Sequence, residues 1–186
     1  MGRYAVKTNR VSFIIVMIAL GNTLSIVSTL ISLLHPQLAV DLSHIATVLT
    51  AFLLGPTAGF IVGFFSAIVP YYRFGITGLM GPVLGLAILP GKGLTGLTIG
   101  LIKKRLKITP QIVKEKRYPV VLLITLIGYI PEAIFTFIYL GIAISFFVPF
   151  FSMPLVIAIL VKAWIEMFII GFICEAIYRH VNIVFS

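Results

Sequence analysis

Four ionisable side chains stand in the middle of long apolar runs: Lys92 in LPGKGLTG, Glu132 in YIPEAIFT, and Lys162 with Glu166 in LVKAWIEMF. An ammonium or carboxylate in hydrocarbon costs a few kcal/mol unless it meets a countercharge, a protein dipole or a wet cavity. Two bases and two acids at similar depth therefore predict a net-neutral polar network. Such a network either surrounds a hollow for a small solute, or its members hold one another in a sealed interior.

The run around Glu132 has the clearest pattern. Thr125, Tyr129, Glu132, Thr136 and Tyr139 are spaced 4, 3, 4 and 3 residues apart, which on a helix confines them to an arc of roughly 80°. A polar stripe on an apolar helix faces inward, as a hydrogen-bonded seam or as a cavity wall. Lys162 and Glu166 share a face and can pair with each other, whereas Trp164, roughly 200° from Lys162, faces lipid or a different neighbour. Lys92 shares a face with Gly78, Gly81, Gly85, Gly96 and Gly100 if the helix continues through a kink at Pro90. A lysine on such a face calls for an acid or an anionic ligand, and Pro90–Gly91 is expected to free backbone groups at mid-depth, as at carrier substrate sites. On this reading Lys92, Lys162 and Arg73 attract a carboxylate or phosphate. Tyr129, Thr136 and Tyr139 supply hydrogen bonds and an aromatic wall, Glu132 holds a lysine or a ligand donor, and Glu166 is structural.

Other chemistries lack their residues. There is no Walker A sequence, no GxSxG and no HExxH. Three histidines and the single Cys174 predict neither a metal site nor an internal disulfide. The chain is expected to be no enzyme and to hold no cofactor.

The elements that must position these groups follow from composition. The 186 residues are 60% hydrophobic and 10% charged, against about a quarter charged in soluble domains. Residues 1–186 read as one all-α membrane-embedded domain. Its formal charge of +9 sits beside apolar runs, so it reads as contact with lipid headgroups and not with nucleic acid. A span takes about 20 apolar residues, and there are six apolar segments: Val11–Leu34, Leu38–Leu54, Thr57–Tyr72, Leu79–Ile102, Tyr118–Phe147 and Ser152–Tyr178. Leu38–Leu54 is only just long enough and Thr57–Tyr72 is shorter still, so these two either cross fully or form a re-entrant hairpin. The first is expected to be a retained helix and not a signal peptide, since it is long and lacks a small-residue cleavage pattern. Lys103 to Arg117 forms a basic loop, and with Arg3, Lys7, Arg10 and Arg179 it falls on the cytoplasmic side if both termini are inside. Only Arg73 then falls outside.

In DLSHIATVLTAFLLGPTAG, Asp41 and Ser43 are expected to cap a short helix, with His44 buried or interfacial. Gly55-Pro56 ends that helix in a tight turn. Gly59 and Gly63, with Ala58 and Ala67, give the return helix small faces for close packing. Gly81-Pro82 repeats the same turn chemistry. The first segment carries two small pairs, Ala19 with Thr23 and Gly21 with Ser25, either of which permits close approach of a helix within the chain or from a partner.

Six short helices, the small pairs on helix 1, DLSHIATVLTAFLLGPTAGFIVG and PGKGLTGLTIGLIKK together resemble the substrate-binding S components of energy-coupling factor (ECF) transporters. The resemblance implies a vitamin or similar micronutrient bound near the outer face of the plasma membrane, among helices 4 to 6. It also implies delivery by toppling in the bilayer, driven by a transmembrane T component and two cytoplasmic ATPases that alone use ATP. The family docks on its T component through an Ala-x-x-x-Ala motif. Ala19 matches its first position and Thr23 replaces the second alanine, leaving Gly21 and Ser25 as a rival pair. An MreD-like scaffold without transport and a solitary secondary carrier are the alternatives.

Overall fold

The structure, a computed structural model, describes residues 2–34, 41–78, 80–148 and 152–180. These are predominantly helical, with short turns between the helices and no strand among them. The expected starts of the second segment at Leu38 and of the fourth at Leu79 lie outside the described residues.

Helix α1, Gly2–Leu34, has 33 residues and so extends about 50 Å. Helix α2, His44–Leu54, reverses at Gly55 into α3, Pro56–Ser66. Gly55 has φ +95°, a backbone conformation open to glycine at little steric cost. Pro56 opens α3 where a missing amide is harmless. The turn expected at Gly55-Pro56 is therefore present. The chain continues through α4, Ile68–Tyr71, and a π-helical turn at Tyr72–Ile76. Next come α5, Gly81–Gly85, and α6, Ile88–Arg105. Short α7, Pro110–Glu115, occupies the basic loop. Helix α8, Val120–Ile138, runs into a π-helical stretch at Tyr139–Ile144 and α9, Ser145–Phe147. Helix α10, Met153–His180, ends the described chain.

Five helical stretches are long and apolar enough to cross a membrane: Asn9–Ser32, Pro56–Ile76, Gly81–Arg105, Val120–Phe147 and Met153–His180. Their outer faces are apolar, with Ile15, Val16, Ile127, Ile134, Phe168 and Phe172 exposed. A surface of this kind belongs in lipid, and the molecule is a multi-pass membrane protein. The second expected span differs. Its 11 helical residues reach about 16 Å, roughly half of a 30 Å hydrocarbon core. Residues 41–43 form a turn ahead of the helix, in which Asp41 Oδ1 accepts from the Ser43 amide.

Glycine brings α3 and α6 together. A Cβ on Gly59 would lie 2.6 Å from the Gly96 carbonyl oxygen, and one on Gly63 would lie 2.5 Å from that of Lys92. The backbones thus approach as closely as small-residue packing permits, and α6 is held against the α2–α3 hairpin. The expected kink at Pro90 is displaced. The helix breaks one turn earlier, at Leu86–Ala87, between α5 and α6. Pro90 then falls in the first turn of α6, where no amide is required, and the Gly91 amide donates normally to Ala87 O at 3.2 Å. The backbone is not opened beside Lys92.

The main core gathers Met17, Val48, Phe52, Val62, Ile99, Val121, Ile170 and Tyr178 from α1, α2, α3, α6, α8 and α10. A second, small cluster of Met80, Leu140, Ile144 and Val156 lies at the end of the molecule away from the basic loop.

Candidate functional site

A cavity of about 570 Å³ lies between the two apolar clusters. Tyr129 and Met167 of the main core line one side, and Met80 and Leu140 of the small cluster line the other. Its walls come from the early part of α6, the late part of α8 and the early part of α10. All three place it at the end remote from Lys103–Arg105.

Of the residues that the sequence singles out, Lys92, Tyr129, Glu132, Thr136, Tyr139, Lys162, Glu166 and Asp41 line this one space. The 80° stripe on α8 explains four of them. Tyr129 and Glu132 are buried, Thr136 and Tyr139 half-buried, and all four face the cavity. Thr125, two turns below, is buried outside it.

Sequence spacing gives one of the ionic pairs, Lys162–Glu166, but not the partners of Lys92 and Glu132. Lys92 Nζ donates to Asp41 Oδ2 at 2.5 Å and to Ser43 Oγ. The other oxygen of Asp41, Oδ1, accepts from the Ser43 amide at 3.0 Å. Asp41 therefore closes a turn and neutralises Lys92, while the Ser43 side chain does not cap α2. Its expected role as a helix cap is replaced by one that spans 51 residues of sequence. Lys162 and Glu166 pair within α10 at 3.3 Å, with the Lys162 side chain 53% exposed. Glu132 accepts from the Thr95 hydroxyl of α6, and one of its oxygens lies 3.6 Å from His44 Nε2.

Aromatic rings set the remaining surface. Phe135 and Tyr139 stack with centroids 5.7 Å apart and planes 4° apart, and the Tyr139 hydroxyl donates to Leu84 O, tying α8 to α5. Trp164 meets Tyr129 edge-on at 5.3 Å, the different neighbour that its angle on the helix allowed.

Arg73 does not line the main cavity. It lines a smaller annex of about 200 Å³ with Ser25, Ser28, Thr29 and Pro70. The annex shares Asp41, Phe74 and Lys162 with the main space. The Arg73 guanidinium donates to Thr29 Oγ1 at 3.3 Å and to Ser32 Oγ at 2.9 Å, and sits 5.2 Å from the Phe74 ring centre.

On α1, the two small pairs separate. Gly21 packs against Ser66 and Ala46, and Ser25 is buried, so this pair serves contacts within the chain. Ala19 and Thr23 are exposed. Sequence reasoning did not assign His44, Thr95, Phe74 or Phe135 to the site. The one available signal was helical spacing on α6 and α8, since Thr95 lies three residues after Lys92 and Phe135 three after Glu132. Among the described residues no cluster of His, Cys, Asp and Glu could hold a metal ion.

No protein-family model, curated protein or solved structure matches the chain.

Proposed function

We propose that this protein is the substrate-binding S component of an ECF-type importer. On this reading it binds a small water-soluble nutrient in the 570 Å³ cavity and delivers it by toppling, with energy from a T component and two ATPases. The observation that carries the reading is the cavity itself. Its volume falls within the roughly 300–1,000 Å³ usual for small-molecule sites, and it is lined by apolar and aromatic side chains with a few converging polar groups. A protein whose membrane-depth charges existed only to bind helices together would need no such space.

In this reading both termini and the basic loop face the cytoplasm and the cavity opens toward the outer side of the plasma membrane. The α2–α3 hairpin completes the six-segment arrangement, with α2 as a half-length element. The exposed Ala19 and Thr23 face is the docking surface for the T component. A scaffold role of the MreD kind draws support from the internal pairs Lys92–Asp41 and Lys162–Glu166, but it leaves the cavity without a use.

The test is purification from native membranes followed by mass spectrometry of both the small molecules and the proteins retained. Recovery of a bound nutrient together with nucleotide-binding subunits is expected. Repeatedly empty preparations without ATPases would refute the reading. Accumulation by the chain alone in liposomes under an ion gradient would replace it with a solitary carrier.

A further inference from the structure

The annex at Arg73 bears on what the site takes, an inference that rests on the binding reading above. Around the two connected spaces stand three cations, Arg73, Lys92 and Lys162, and three carboxylates, Asp41, Glu132 and Glu166. Asp41 is committed through both oxygens to Lys92 and the Ser43 amide, and Glu166 pairs with Lys162. That leaves Arg73 with hydroxyl partners and, among the described residues, no carboxylate within ion-pair reach. It leaves Glu132 with a hydroxyl and a histidine. Arg73 lines only the annex and Glu132 only the main cavity, so the site is electrically polar along its length.

Two of the five guanidinium N–H donors serve α1, and the remaining capacity suits a carboxylate. Lys162, half-exposed on the shared wall, adds a second donor. We infer that the ligand carries one carboxylate, seated in the annex between Arg73 and Lys162, with an apolar ring-bearing body in the main cavity against Phe74 and the Phe135–Tyr139 stack. A single negative charge balances the one cation that lacks an acid; a second would go uncompensated. The Glu132 end repels the carboxylate and accepts a donor from the opposite end of the ligand, which fixes the orientation.

The full-length protein in detergent tests this with a matched pair of probes, naphthalene-2-carboxylate and its neutral carboxamide, in equilibrium binding. The acid should bind at least about tenfold tighter than the amide, the order expected of a charge-assisted contact. Arg73→Gln should bring that ratio to about one, and Arg73→Lys should keep most of it. If Arg73→Gln does not accumulate as folded protein, Lys162→Met should reduce the same ratio. An acid and amide of equal affinity, a ratio unmoved in both variants, or a co-purifying ligand that is neutral or cationic would overturn the carboxylate assignment while leaving the binding function standing. Failure of both probes to bind, with no molecule co-purifying, would overturn both.

Discussion

Replacing Gly63 by alanine should loosen the molecule at the level of Lys92. The new Cβ would stand 2.5 Å from the Lys92 carbonyl oxygen and 3.0 Å from both the Lys92 carbonyl carbon and the Thr47 methyl. Ordinary contact begins near 3.4 Å, so α3 and α6 must separate by about 0.9 Å, with backbone on both sides and no flexible side chain to yield. Overpacking of this kind costs about 1–3 kcal/mol. For a chain of this size each kcal/mol lowers the melting temperature by about 2–4 °C, giving an expected fall of about 2–12 °C. The assay is built into the protein. Cys174 is free and fully buried, so its reaction with a maleimide dye reports unfolding. Gly91→Ala is the matched control, because its Cβ would meet only the Phe135 ring, at 3.5 Å, and its melting temperature should not fall. Equal melting temperatures for the two variants would refute the claim that glycine contact sets the spacing of α3 and α6.

Other consequences are open to measurement. Asp41→Asn should destabilise more than Lys92→Met, because it strands an ammonium that is 6% exposed, against a carboxylate that is 31% exposed. Losses of about 3–5 kcal/mol are typical for a stranded buried charge. The double variant should recover part of the loss, and additive losses in a thermal double-mutant cycle would count against the pair. Glu175→Gln weakens the acceptor of the Val121 and Leu122 amides, at 2.6 and 3.3 Å, and of Arg179 Nε at 2.8 Å. It should cost about 1–2 kcal/mol and speed amide hydrogen exchange at the start of α8 specifically. Under the proposed function, Ala19→Leu should lower ATP-driven accumulation in whole cells and leave ligand affinity in detergent unchanged. Lower affinity would mean that this face of α1 belongs to the binding site.

Local rules carried far in this chain. Apolar length placed the five long helices to within a few residues, and the Gly55-Pro56 turn followed from the conformational needs of those two residue types. The inward face of α8 followed from spacing, because lipid leaves a polar stripe no other direction in which to point. Spacing also put Lys162 and Glu166 within reach of each other, since four residues along a helix is itself a spatial distance.

Partnerships between distant segments had no such local sign. Lys92 finds Asp41 and Ser43 because the α2–α3 hairpin packs glycine to glycine against α6. Glu175 supplies the acceptor for the start of α8 because Pro119, the residue at that cap, has no side-chain hydrogen bond to offer. The break at Leu86–Ala87 likewise left Pro90 harmless, where the residue alone suggested a kink. Residue type and order thus determined which segments enter the membrane and which of their faces turn inward, since each depends on a few neighbouring side chains and on the solvent. Whether the buried charges close on one another or stand around a space depended on how far apart the helices pack, and only the tertiary structure decided that.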